Sequence, residues 1–473
     1  MLISFIVFLS CFAIIGLSSA KFASKNKEDY YLAGRSVSAW LTGLSAVATN
    51  NSGYMFIGVI GYTYYAGLSA IWLMIGWIAG DLIASFYIHK KVQQQAKKTG
   101  AVSVMSLVSL WQGENFQLLR RLLAWTALLL MTAYAAAQFI AGSKALHVLL
   151  DWPIWMGAIL VAVMVAAYCF AGGIRASIWT DAAQSFVMVA AMSILLFAAV
   201  QHIGGINQVI TELRQVDGFF DLTPDGLIFD NQLGVIAFAV GWMFAGFSVV
   251  GQPHIMVRFI ALDSKQNMRT MRMWYYLWFS IFYAMATCVG LLSRILLDNQ
   301  ASFDAELALP MMALELLPGW LVGLILAGIF AATLSTADSL VLSSSAAFSQ
   351  DCLAKPVTNT KVIKIITLSI TLLTLFVAMF AKQSVFSLVV FAWATLGCAL
   401  APMLIGLILG WRISQLQALI VVIASVATAM LWRQLDWHNQ IYEGFAGILI
   451  GIVLFYLLKT TESKSVEVAN EVN

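Results

Sequence analysis

Apolar runs of about twenty residues recur along the whole chain, each closed by a short polar or basic stretch, and that length matches the hydrocarbon core of a bilayer. The runs lie near 2–20, 38–61, 69–89, 122–149, 154–171, 178–202, 233–255, 273–296, 320–350, 365–381, 385–410, 416–432 and 440–458. The pattern predicts an all-α polytopic membrane protein with about 13 transmembrane helices. Only 203–232 and 297–319 leave long outward connections. The second run holds the polar stretch Ala48-Thr49-Asn50-Asn51-Ser52-Gly53, and the seventh holds Gly241-Trp242, Gly246 and Gly251-Gln252-Pro253-His254. A spanning helix must satisfy its own backbone, so such interruptions mark places where a helix unwinds beside a cavity. The two lie five runs apart, as expected of an inverted five-helix repeat with a binding site between its broken helices. Small residues that merely let helices approach are the plain structural alternative.

Charge placement sets the orientation. The first run ends in Ser18-Ser19-Ala20, which resembles a cleavage site, but no basic residue precedes it, while Lys21, Lys25 and Lys27 follow. A signal peptide carries its charge at the front, so an uncleaved helix with its N-terminus outside is expected. With that start, 21 of the 26 Lys and Arg residues fall on inward segments, Arg175, Arg258 and Lys464 among them. The positive-inside rule then places the N-terminus in the periplasm and the C-terminus in the cytoplasm of a bacterial-type inner membrane.

Composition narrows the function. Hydrophobic residues make up 61% of the chain and charged residues 10%, against about 25% charged in a soluble domain. A net charge of +3 gives no footing for a nucleic-acid partner. Cys11, Cys169, Cys288, Cys352 and Cys398 are scattered, without metal-type or disulfide spacing. His89, His147, His202, His254 and His438 form no ligand pair, so no catalytic constellation and no enzyme are expected. The lipid bilayer is the partner this composition implies, with no obligate protein partner evident. A membrane solute sensor would need an output domain, for which the short tail after Lys459 leaves no room.

These residues resemble the sodium/solute symporter family, most of all its sodium/proline branch. The resemblance is carried in order by Asp29 to Ser36, Leu44-Ser45-Ala46, Ala171-Gly172-Gly173, Trp179 to Gln184, Gly251 to Ile255 with Arg258-Phe259, and Ala331 to Thr336. It implies a LeuT-type inverted five-helix repeat core. On that plan 1–37 is an extra N-terminal helix and cytoplasmic loop, 38–202 the first repeat, 203–232 a periplasmic loop and 233–411 the second repeat. Residues 412–459 form two C-terminal helices, and 460–473 a disordered cytoplasmic tail. The implied activity is sodium-coupled import of a small organic solute, an amino acid such as proline or a small organic anion; a proton-coupled carrier of the same fold is the alternative.

By that resemblance a sodium ion is held by the hydroxyls of Ser335 and Thr336 and the carbonyls of Ala48, Asn51 and Ala332. Asp181, Asp338 and Ser339 are candidates for a second cation or a coupling group. Arg175 is the structural alternative as partner for Asp181, and no basic residue in the predicted spans lies at a depth suited to Asp338. Asn50, Ser52, Tyr134, Gln138, Trp242 and Phe247 are the candidate solute residues. The proline branch carries aspartate where this chain has Asn50, and aromatic residues at positions that fall here on Ala245 and Val249. Those departures leave the choice of solute open.

Overall fold

The computed structural model describes residues 1–22, 26–227, 229, 231–297, 303–380 and 384–460. Lys25, Lys464 and all but the first residue of the expected tail lie outside these. The helices in chain order are α1 (Leu2–Ser18), α2 (Lys27–Leu32), α3 (Ala39–Gly53), α4 (Ile60–Ala66), α5 (Ile71–Ala84), α6 (Lys90–Thr99) and α7 (Val104–Leu110). There follow α8 (Gln117–Leu150), α9 (Ile154–Gly172), α10 (Ile174–Ile203), α11 (Ile206–Leu213), α12 (Gln232–Phe247), α13 (Pro253–Ala261) and α14 (Met268–Leu296). The last six are α15 (Ala308–Leu316), α16 (Gly319–Ala346), α17 (Thr360–Phe380), α18 (Val385–Ile408), α19 (Gln415–Gln434) and α20 (Glu443–Leu458).

Among the described residues, eleven helical stretches are long and apolar enough to cross a membrane. One of them, Ala39–Thr99, is 61 residues long; at about 1.5 Å per residue it would be roughly three bilayer cores deep if straight. It is instead interrupted at Gly67, whose φ of +64° suits glycine and whose Cβ would meet the Phe219 carbonyl at 2.6 Å. Counted as two spans, and with the 16-residue apolar α20 added, the helices reach the expected thirteen. Segment 203–232 carries the short helix α11 and segment 297–319 the short helix α15.

Both expected breaks are present. In α3 the backbone departs from helix at Ser52 (φ 46°, ψ 178°). The freed Gly53 N–H is met by a side chain, donating to Gln138 Oε1 at 2.8 Å, while Tyr54 N–H reaches Ser52 Oγ at 3.1 Å as well as the Asn51 carbonyl. In the seventh span α12 closes in a 3₁₀ turn over Ser248–Gly251, and Gln252 is extended (φ −101°, ψ 97°). Pro253, which has no N–H to lose, starts α13. The Gln252 amide bridges this gap by donating to the carbonyls of Trp393 (2.9 Å) and Ser248 (3.2 Å).

Helix α16, a long apolar helix, runs through the centre, and every residue from Val322 to Ala346 is buried. It packs on α3, α8 and α10, so hydroxyls on its α3-facing side meet the unwound segment. Helices α5 and α12 approach so closely that a Cβ at Gly80 would lie 1.8 Å from the Met243 carbonyl, and one at Gly246 1.8 Å from that of Trp77. Without a hydrophobic drive between lipid-embedded helices, such small-residue contacts supply the packing.

Candidate functional site

Just before the unwound Ser52, the carbonyls of Ala48 and Thr49 lie opposite hydroxyls of α16. Ser335 Oγ is 3.1 Å from both the Ala48 and the Ala332 carbonyl oxygens. Thr336 Oγ1 donates to the Thr49 carbonyl at 2.8 Å, and Thr49 Oγ1 reaches the Ser335 carbonyl at 3.3 Å. Carbonyl and hydroxyl oxygens from two helices thus converge on one fully buried place. Such a neutral, all-oxygen set suits a hard cation. Ala48, Ala332, Ser335 and Thr336 come together as expected, and Thr49 joins them. Asn51 is buried beside them, its Oδ1 atom without a hydrogen-bond partner among the described residues.

One turn along α16 lies a charge cluster. Asp338 Oδ1 accepts from Ser177 Oγ (2.9 Å) and Ser339 Oγ (3.0 Å). Asp181 Oδ2 accepts from Ser45 Oγ at 2.6 Å. Arg258 lies between them, itself 1% exposed, with its guanidinium donating to Asp181 (3.2 Å), Ser177 (2.9 Å), Ser45 (3.0 Å), Ser339 and the His254 carbonyl. Expected on an inward loop, Arg258 is instead buried on helix α13. Restarting the helix at Pro253 carries it inward along α13. That place also corrects the expectation that no basic residue suits Asp338. Arg175 is not the partner of Asp181, because it pairs with Asp29 at 2.5 Å. One guanidinium faces two buried carboxylates, and Asp181 Oδ1 and Asp338 Oδ2 have no hydrogen-bond partner among the described residues. The cluster therefore has room for one further positive charge.

On the other flank of the break, Asn50 donates from Nδ2 to Tyr275 Oη (2.6 Å) and to Asp81 Oδ2 (3.2 Å). Tyr134 Oη donates to Ser52 Oγ at 3.4 Å, and Gln138 holds the Gly53 amide as described. Trp242 belongs to an aromatic wall, stacked between Trp77 and Tyr442 at 5.9 Å each. Tyr54, two residues past Ser52, extends that wall to Trp77 (5.6 Å) and Phe386 (5.3 Å). Beyond it, Tyr62, Trp242, Phe386, Arg433 and Tyr442 line a cleft of about 140 Å³. Phe247 is not brought to the break; it is half-buried, with Phe244 as ring neighbour at 6.4 Å.

Sequence reasoning missed Asp81, Tyr275, Tyr276 and Ser177, and the inward place of Arg258. A lone acid within the otherwise apolar α5 was the available signal for Asp81.

The model of the sodium:solute symporter family matches residues 30–424. The "Sodium/proline symporter" of Escherichia coli (strain K12) is 27% identical over 99% of this chain and 95% of its own length. The "High-affinity proline transporter PutP" of Bacillus subtilis (strain 168) is 26% identical over 96% and 97%. Among solved structures, the chain superposes on a Na⁺-coupled sialic acid symporter in a substrate-bound outward-open state, with a TM-score of 0.78, 18% identity and 96% of both chains covered. Mhp1, a nucleobase-cation-symport-1 family transporter, follows with a TM-score of 0.55 at 14% identity, covering 90% of this chain and 92% of its own. At those identities the two structures speak for the fold alone.

Proposed function

Because the chain belongs to the sodium:solute symporter family and couples solute movement to sodium, we propose that it imports a small organic solute through the break in α3, with its sodium held between α3 and α16. The observation that carries this is the meeting of Ser335 and Thr336 with the carbonyls of Ala48, Thr49 and Ala332. On this reading Asn51 adds its carbonyl to the sodium shell. Asn50, Ser52, Tyr134 and Gln138 face the solute, and Trp242 belongs to the wall that closes over it. An amino acid such as proline is the favoured solute class, because proline transporters align over nearly the whole chain.

Asp181, Asp338 and Ser339 hold a second coupling cation beside Arg258, and that cation supplies the missing positive charge. A cavity of about 20 Å³, large enough for about one water, is lined by Arg258 and Ser339 together with Tyr31, Ser103 and Val104. It marks the inward path from the cluster. The N-terminus is periplasmic and the C-terminus cytoplasmic, the repeats span 38–202 and 233–411, and the membrane is a bacterial inner membrane.

The driving force suffices. About 100 mV contributes about 2.3 kcal/mol per charge, and a tenfold sodium gradient adds roughly 1.4 kcal/mol. One sodium thus supports an accumulation of several hundredfold. Proteoliposome uptake of labelled amino acids and small carboxylates, with and without an inward sodium gradient, tests the reading. Uptake that ignores sodium and follows a proton gradient would replace it with proton coupling.

A further inference from the structure

Asp81 lies ten residues into α5, about 15 Å along the helix, within a helical stretch long and apolar enough to cross a bilayer. It is fully buried, and among the described residues it makes no ion pair. Three donors from two other helices converge on it instead. Tyr276 Oη donates to Oδ1 at 2.8 Å, Tyr275 Oη to Oδ2 at 2.7 Å, and Asn50 Nδ2 to Oδ2 at 3.2 Å. All three groups donate to the carboxylate in the structure, and donation of this kind favours its ionised form against the cost of burial.

The cage also fixes what Asn50 presents. Ionised Asp81 can only accept, so the Asn50 amide must turn its nitrogen toward Asp81 and Tyr275, and its carbonyl oxygen becomes the free end. A carboxylate offers about four acceptor positions, and the three donors leave one open, on Oδ1. With Asp81 ionised, the flank of the α3 break carries acceptors and one net negative charge, and among the described residues no protein cation pairs with it. An anionic solute would meet a like charge there, whereas a protonated nitrogen would bring both the opposite charge and N–H donors.

We propose that Asp81, Tyr275, Tyr276 and Asn50 form an anionic subsite that takes the protonated nitrogen of an amino or imino solute, so that the carrier moves a zwitterion or cation and not a simple organic anion. The inference rests on the α3 break being the solute site.

The test uses the purified full chain in detergent with sodium, titrated with the twenty common amino acids and with their 2-hydroxy acid counterparts, thermal stabilisation being the readout. The tightest-binding solute should be an amino or imino acid. Asp81→Asn should weaken it at least about tenfold, the scale of a lost hydrogen bond to a charged group, while sodium alone still stabilises the variant and so reports a formed α3–α16 contact. The double exchange Asp81→Asn with Asn50→Asp returns one charge to the same hydrogen-bonded pair and should recover most of the affinity. A 2-hydroxy acid that binds as tightly as its amino counterpart would overturn the subsite, as would an Asp81→Asn variant of unchanged affinity. Weakening by Asp81→Asn that the double exchange fails to relieve would overturn it too, since Asp81 would then act through packing and not charge. Failure of the α3 break as solute site reads differently: Ser52→Ala, Tyr134→Phe and Gln138→Ala would all leave solute affinity intact, whatever Asp81 does.

Discussion

Arg258 of α13 meets Asp181 of α10 at 3.2 Å, with the two side chains 1% and 0% exposed. Removing one partner of such a pair leaves an uncompensated buried charge and costs about 3–5 kcal/mol. Arg258→Gln should therefore lower the thermal midpoint and the amount of folded protein in the membrane. Adding Asp181→Asn should recover part of that loss, because the orphaned carboxylate is gone. Thermal unfolding of the single and double variants in detergent checks this; a double variant less stable than Arg258→Gln would contradict it.

Asp338 adds a second carboxylate to the same guanidinium, and the proposed second cation follows from that imbalance. Asp338→Asn removes one negative charge, so sodium activation of uptake should become less steep and the sodium-to-solute ratio should fall. If a proton is the extra cation, the same variant should keep its sodium steepness and lose pH dependence. Paired flux measurements of labelled sodium and solute across a pH series separate the two. Both properties unchanged would leave Asp338 without a coupling role.

The contact between α5 and α12 tolerates no side chain at Gly80 or Gly246. Gly246→Ala places a methyl carbon on the Trp77 carbonyl, and overpacking of this kind costs typically about 1–3 kcal/mol. The expected result is reduced folded protein, measured by size-exclusion profile after extraction. Gly410→Ala serves as comparison for space, since a Cβ there meets nothing within 4 Å, although its φ of +79° adds backbone strain.

Topology is checked by fusion. A reporter after Asn473 should be cytoplasmic, and one before Met1 periplasmic. Finding both ends in one compartment would require an even number of spans or a cleaved first helix.

How much of this was legible in the chain depended on the scale of the signal. Spans emerge from twenty-residue averages, so the limits of α9, α14 and α18 fall close to the apolar runs. Both breaks are legible because unwinding needs residues such as Ser52, Gly251 and Pro253 that stand out in apolar sequence. The Ser335 and Thr336 hydroxyls are legible because they follow the apolar first half of α16, Gly319 to Ala332. Arg258 was misplaced because a charge shortly after Gly-Gln-Pro reads as the end of a span; only the restart of helix at Pro253 turns it inward. Phe247 was grouped with Trp242 on proximity in sequence, but five residues of helix turn them to different faces. Asp81 was overlooked because one acid barely lowers the hydropathy of its run, and its donors Tyr275 and Tyr276 come from a helix almost two hundred residues away.

The central claim is that sodium binds between α3 and α16, and the sodium dependence of solute uptake by proteoliposomes tests it most directly. Wild type, Ser335→Ala, Thr336→Ala and the matching Cys variants are compared at equal protein content. Each Ala variant should need several-fold more sodium for half-maximal uptake, since a ligand oxygen is lost. Cys should fare no better, because it keeps most of the volume but offers a soft atom to a hard ion. Unchanged sodium dependence in both Ala variants would contradict the site and, with it, the mechanism built on the meeting of these two helices.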